Sequence, residues 1–198
     1  MKPKPLRVLR SPLPACAVAR AGFTMVELLI VIVLVAILLA LAMPSFNTIV
    51  QRYRVNMAAT NIANALQFAR MEAIRRSANV TVGQATAPVD CTNGGPENWH
   101  CGVDVYVTAG APLKTIPASS LSSMNVQIFS NNAPGATLVY TPMSHINNAA
   151  VNSFIYVWHT ALGPTPSATI PVINTVCATG VGKVRVVSSY VSDPTLCN

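Results

Sequence analysis

Few side chains in this sequence could do chemistry, and they fall into three groups. The first is cysteine. Cys16 lies in a basic N-terminal stretch, whereas Cys91, Cys101, Cys177 and Cys197 lie far along the chain. Four cysteines in an oxidising compartment read as two disulfides; three pairings are open, and proximity favours Cys91–Cys101 and Cys177–Cys197. Cys91, His100 and Cys101 would also supply three soft ligands, but the paired-cysteine spacing of zinc sites is absent, so no metal is expected. The second group is His100, His145 and His159, none beside a nucleophile motif or a phosphate loop. No catalytic residue and no cofactor is expected. The third group is charge in unusual places. Glu27 stands inside an apolar run, and Lys183 and Arg185 stand two apart after the glycine-rich Thr179-Gly180-Val181-Gly182. Side chains two apart on a strand point to one side, so this pair could clamp a phosphate backbone. The competing reading is two solvated charges alternating with buried Val184 and Val186.

These groups are positioned by a chain of two unlike parts. Half of the sequence is hydrophobic and a tenth is charged, which is low for a freely soluble globule. The apolar excess concentrates in Phe23–Met43. Lys2, Lys4, Arg7, Arg10 and Arg20 precede it, with no acid among them. Without residues 1–22, eight basic and six acidic side chains remain, a net charge of +2; from Ser77 onward the net charge is −1. The overall pI of about 9.5 therefore says nothing about nucleic acid by itself.

Order matters as much as composition. Ala21-Gly22 precedes the apolar run, the reverse of an ordinary secretory signal. Cleavage after Gly22 would strip the charges and leave the apolar segment on the mature chain. Leu28–Met43 would make about 24 Å of helix, and extension back to Phe23 gives about 31 Å, enough to span a bilayer. That extension includes Glu27, whose carboxylate costs about 2.5–3.5 kcal/mol at a bilayer centre and less near an end. Such a residue needs a partner or a purpose. The leader charges outweigh Arg52 and Arg54 beyond the segment, which puts the N-terminus in the cytoplasm and everything after Pro44 outside.

Beyond Pro44 the helix is expected to continue. Ala58, Ile62, Ala65, Leu66, Ala69 and Ala73 recur at helical spacing, with Arg52, Arg54, Arg70, Arg75 and Arg76 largely off that stripe. After Ser77 the pattern switches to period two at Val80 and Val82, and again at Val103, Val105 and Val107. Residues 126–129, 138–140, 154–158 and 184–187 are further strand candidates, punctuated by Asn131–Gly135 and Gly163-Pro164-Thr165-Pro166. The expected fold class is α+β: a leader over 1–22, an apolar helix over 23–44, an amphipathic helix over 45–78 and a β-rich domain over 79–198, with the helix packed on an antiparallel sheet.

Gly22-Phe23-Thr24-Met25-Val26-Glu27-Leu28-Leu29-Ile30-Val31 resembles the processing motif of type IV prepilins and type II secretion pseudopilins. In that family a membrane peptidase cuts after the glycine and methylates the new N-terminal phenylalanine, here Phe23. The resemblance implies that Glu27 neutralises the Phe23 amine of a neighbouring subunit, which supplies its missing partner. The competing reading is a plain anchor whose Glu27 snorkels to the headgroups. Trp99-His100-Cys101-Gly102-Val103-Asp104-Val105-Tyr106-Val107 resembles the tryptophan–glycine–strand segment of the GspH/FimT group of minor pilins. Phe154–Gly163 and Gly182-Lys183-Val184-Arg185 resemble its closing strands, although Lys183 stands where that group usually has arginine.

The resemblance implies a type IV pilin-like fold and three competing functions. One is a structural minor pilin of a type IV pilus in the FimT/FimU manner. Another is the H-type minor pseudopilin of type II secretion. The third is an uptake pilin that binds DNA through Gly182, Lys183 and Arg185 during transformation. Implied partners are the membrane, other pilins or pseudopilins, the prepilin peptidase and, in the third case, DNA. The implied location is the inner membrane, single-pass, with the leader cytoplasmic and the C-terminal domain periplasmic before assembly. Mass spectrometry of the mature protein should find a chain beginning at N-methylated Phe23; an intact leader in assembled filaments would refute the processing assignment.

Overall fold

The structure, a computed structural model, describes residues 22–85, 98–107, 111–131, 137–147 and 152–197. The leader and Cys91 lie outside these residues. The chain divides into two units, Met1–Met43 and Pro44–Asn198. One helix, α1 (Met25–Arg76), contributes to both. It starts at Thr24, whose Oγ1 accepts a hydrogen bond from the Glu27 amide at 3.2 Å, the N-cap geometry that satisfies one of a helix's orphan donors. Among the described residues no helical stretch is long and apolar enough to cross a membrane. The described side chains of the apolar run end at Ala40, and the sequence stays apolar through Leu41-Ala42-Met43.

In the second unit α1 is amphipathic. Val55, Ala58, Ala59, Ile62, Ala65, Leu66, Ala69 and Ala73 are fully buried, at the spacing that puts them on one face. Five of the eight are alanine, so this face is lined mostly by small side chains. Those neighbours are two four-stranded antiparallel sheets rather than the single sheet expected. The first has the order β3 (Lys114–Ile116), β2 (Val103–Tyr106), β1 (Val80–Gln84), β5 (Leu138–Tyr140). The second has the order β4 (Val126–Ser130), β6 (Asn152–His159), β7 (Ile173–Thr179), β8 (Val184–Val187). A short helix, α2 (Ala118–Ser122), precedes β4.

One core joins the helix face to both sheets: Val80, Val82, Val103 and Val105 from the first, and Ile128, Ile155, Val157 and Val176 from the second. A smaller core lies on the other face of the second sheet, where Phe154, Tyr156, Trp158, Ile173 and Cys177 meet Ile170, Val191 and Cys197. Strands β6 and β7 are therefore covered on both faces. That explains why β7 escaped the period-two reading: a strand buried on both sides does not alternate. Its polar side chains are satisfied locally. Thr175 Oγ1 donates to the Ser189 carbonyl at 2.7 Å, and Asn174 Nδ2 reaches Asn56 Oδ1 on α1 at 3.4 Å. Strand β3 was also unexpected, being too short to show a period. It matters because Thr115 Oγ1 donates to the buried Asp104 carboxylate at 2.6 Å.

Both tryptophans belong to packing. Trp99 and Trp158 are buried, and Trp158 Nε1 donates to the Gly163 carbonyl at 2.8 Å. The disulfide Cys177–Cys197 ties β7 to the terminal 3-10 turn Pro194–Cys197 across 20 residues of sequence. It holds the chain end over the outer core. Cys101 is buried and disulfide-bonded too; its expected partner, Cys91, lies outside the described residues.

Two histidines make the fold sensitive to acid. Burial lowers the His100 pKa, and its Nδ1 is buried without a hydrogen-bond partner. His159 is lowered by burial and then by the Arg54 charge, and its Nδ1 accepts from the Ala161 amide at 3.3 Å, which requires that nitrogen unprotonated. Both folded-state values lie below the unfolded value of about 6.5, so the stability they contribute is full above that pH and is lost as pH falls through the folded values. The thermal midpoint should fall between pH 7 and pH 5, and His159→Gln should flatten that fall; a midpoint constant over this range would refute the assignment. Separately, Cys177→Ser should cost about 3 kcal/mol from loop-closure entropy, read as a lower midpoint that reducing agent does not lower further through this bond.

Candidate functional site

The first candidate is the start of α1. Gly22 and Phe23 precede the helix and are exposed, so the expected cleavage point is accessible in this structure. Every described side chain from Phe23 to Ala40 is exposed, including Leu28, Ile30, Leu34 and Leu38. An apolar surface on all sides of a helix fits a lipid or protein environment rather than water. Within it Glu27 is the single ionisable side chain. It occupies the third helical position after the Thr24 cap, in the first turn of α1, where unpaired amide groups and the helix dipole favour negative charge. This placement gives Glu27 a local stabilisation that the sequence reading had not weighed. The signal was legible as the threonine–glutamate spacing of a capping box, Thr24-Met25-Val26-Glu27.

The second candidate is the hairpin between β7 and β8. It is not a flexed loop. The Gly182 amide donates to the Thr179 carbonyl at 2.7 Å, the Thr179 amide to the Lys183 carbonyl at 2.9 Å, and the Ile146 amide to the Gly180 carbonyl at 2.9 Å. The Lys183 amide also reaches Thr179 Oγ1 at 3.2 Å. Gly182 is buried at φ +77°, and a Cβ there would overlap the Ser144 carbonyl oxygen. A left-handed φ and close backbone approach both demand glycine, so packing accounts for Gly182 without any ligand.

Lys183 and Arg185 are both exposed. Lys183 lies in the turn and Arg185 in β8, opposite Cys177 on the outer face of the second sheet. Val184 and Val186, opposite Ala178 and Val176, pack against the main core. That alternation, with valines inward and charged side chains outward, is the pattern of an edge strand.

The arginines that lie off the apolar stripe of α1 divide. Arg75 and Arg76 both donate to Glu72, at 2.7 Å each for their shortest bonds, and hold its carboxyl down to about 2. Arg70 instead turns to the hairpin. Its Nη2 donates to Ser144 Oγ at 3.2 Å, and its Nε lies 3.4 Å from where a Gly182 Cβ would be. Arg70, Ser144 and the hairpin are far apart in sequence, and no motif linked them. Arg70 therefore packs against the turn at Gly182, unlike Arg75 and Arg76, which pair with Glu72.

A groove of about 510 Å³ opens elsewhere, lined by Arg52, Tyr53, Asn56, Pro171, Val172, Ile173, Asn174 and Ser188. Its lining contains no histidine, carboxylate or cysteine, so it offers no nucleophile–base pair. Among the described residues no three His, Cys, Asp or Glu side chains gather as a metal site.

Known proteins agree with this geometry. Residues 18–43 match the prokaryotic N-terminal methylation motif. Residues 58–172, more than half of the chain, match the family described as type II transport protein GspH. No curated protein matches the chain. Two crystal forms of the Pseudomonas aeruginosa type IV minor pilin FimU are similar in structure. One has a TM-score of 0.52 at 15% identity, covering 69% of this chain and 90% of that one; the other has a TM-score of 0.49 at 14% identity, covering 67% and 91%. At such identity the first of these supports the fold alone. The helix on two antiparallel sheets, the methylation motif and the match over 58–172 converge on one conclusion: the chain belongs to the GspH family, whose members are pilin-like structural subunits.

Proposed function

We propose that this protein is a minor pilin, a structural and assembly subunit of a type IV pilus, cut after Gly22 and methylated on Phe23. The observation that carries this reading is the lone carboxylate of Glu27, set in the first turn of α1, whose described side chains through Ala40 are apolar and exposed all round. After cleavage the Phe23 amine of a neighbouring subunit is the natural counter-charge. The segment anchors the chain in the inner membrane, with the leader cytoplasmic and the β-rich domain periplasmic, until assembly draws it into the filament. A second reading, the H-type minor pseudopilin of type II secretion, draws support from the description of the matched family. Deleting the gene separates the two: loss of surface pili supports the first, and loss of exoprotein secretion with pili intact supports the second.

Glu27→Gln keeps the shape of the capping pair and removes the charge, and should insert in the membrane yet fail to enter filaments. Its loss of dipole stabilisation, about 0.3–1 kcal/mol, is too small to unfold the domain. Parental incorporation of that variant would refute inter-subunit pairing.

DNA uptake is the finer part of the proposal, and the exposure of Lys183 and Arg185 supports it. Phosphate contact predicts little sequence preference and a log–log salt slope of roughly −0.9 per phosphate neutralised. Replacing Lys183 and Arg185 with alanine should shallow that slope by up to about two units. Because Arg70 adjoins the hairpin, the proper comparison variant is Arg75→Ala with Arg76→Ala, which should leave the slope unchanged. No DNA binding at low salt would leave a purely structural subunit.

A further inference from the structure

We infer that the groove between α1 and the start of β7 binds the headgroup phosphate of an anionic phospholipid, with Arg52 as its counter-charge. The inference rests on the membrane-anchored reading above and gives a ligand to a groove which that reading leaves unused. The groove holds about 510 Å³, within the range of small-ligand sites. Arg52, Tyr53 and Asn56 line it from α1, and residues 171–174 with Ser188 line it from the second sheet. Arg52 is exposed, and among the described residues it has no acidic partner. Asn56 Oδ1 accepts from Asn174 Nδ2 at 3.4 Å, which leaves the Asn56 Nδ2 amide as a donor. Tyr53 and Ser188 add hydroxyl groups. No carboxylate lines the groove, and the sequence has no acid between Glu27 and Glu72. Guanidinium and phosphate make a charge-assisted pair that is often bidentate.

The surroundings favour a lipid over a free phosphate or a nucleic acid. Phe46, Ile49 and Tyr53 recur at i, i+3 and i+7, so they share one face of α1, and they are 66%, 60% and 65% exposed. Asn56 continues that line three residues on. An apolar strip that runs into a cationic groove matches a molecule whose acyl chain is joined to a phosphate. The chain position agrees. Phe46 follows the end of the apolar run at Met43 by three residues, and Arg52 follows it by nine, about 13 Å of helix. Arginine lays its stem along apolar surface while its charge stays at headgroup level, and tyrosine is enriched at the same level. A track of nucleic-acid phosphates needs an extended basic surface, whereas a single cation lines this groove.

The test uses the full-length protein in detergent micelles, with bound lipid counted by native mass spectrometry. The parent should retain one phosphatidylglycerol at least about tenfold more strongly than phosphatidylcholine, a preference of 1.4 kcal/mol. Both lipids carry the phosphate, so net charge is the variable. Arg52→Gln should abolish the preference, whereas Arg75→Ala, which removes a cation elsewhere on α1, should keep it. Ile49 is exposed, so Ile49→Ser should stay folded and lower retention severalfold by interrupting the acyl strip. Phosphatidylglycerol with a photoreactive acyl chain should crosslink to residues 46–56 of the parent. The inference is overturned if the parent shows no preference, if Arg52→Gln retains lipid as the parent does, or if the crosslink falls outside that stretch. Displacement of the lipid by an equal concentration of glycerol 3-phosphate would overturn it in favour of a soluble-anion site, and displacement by a short DNA duplex in favour of nucleic acid. Release of the protein from membranes by alkaline carbonate would sink the anchored reading and this inference with it. A carbonate-resistant protein without lipid preference overturns this inference alone.

Discussion

Small side chains on one face of α1 set the distances in the folded domain. Ala58, Ala59, Ala65, Ala69 and Ala73 are fully buried in the core that α1 shares with both sheets, where larger residues would need more room. Ile62, Leu66 and Val55 fill the space between them, each side chain contributing about 1.5–3 kcal/mol through burial. An extra methylene group at one of these alanines has nowhere to go without moving a strand, at a cost of about 1–3 kcal/mol. The second sheet meets the same demand from its other side. Its outer core is closed by the chain end, which Cys177–Cys197 holds in place, so β6 and β7 are enclosed on both faces and their ladder is sheltered from water.

The helix was legible because a buried stripe on an otherwise solvated surface leaves a clean 3.6-residue period. Six alanine, isoleucine and leucine positions read from that period are all fully buried. Strands with one face in the main core were legible for the equivalent reason: Val80 and Val82 alternate with partly exposed or small neighbours. β7 was not legible, because enclosure removes alternation and its Asn174 and Thr175 look like loop residues until their partners on α1 and at Ser189 are known. The division into two sheets was hidden too, since strand pairing is a long-range matter that local pattern does not carry.

The same contrast holds for the candidate sites. The start of α1 was readable because its chemistry is local: glycine, phenylalanine, threonine cap and glutamate lie within six residues, and the apolar run follows directly. The hairpin was readable only as far as its charges. What Gly182 does depends on Ser144, and what Arg70 does depends on both. These residues come from three elements that only the folded chain brings together.

That convergence changes what the glycine-rich turn means. In sequence, glycines before two cations suggest a loop that moves to admit a ligand. In the structure the turn is tied by four backbone or side-chain hydrogen bonds to Thr179, Lys183 and Ile146, and its left-handed glycine is there so that the Ser144 carbonyl can approach. Rigidity does not argue against binding. A fixed hairpin loses little conformational entropy when a partner docks, so weak contacts count for more there than on a mobile loop. The hairpin thus presents its exposed lysine and valine in one arrangement above Arg70. For a subunit that must fit a repeating lattice of neighbours, a prearranged surface is of more use than an adaptable one.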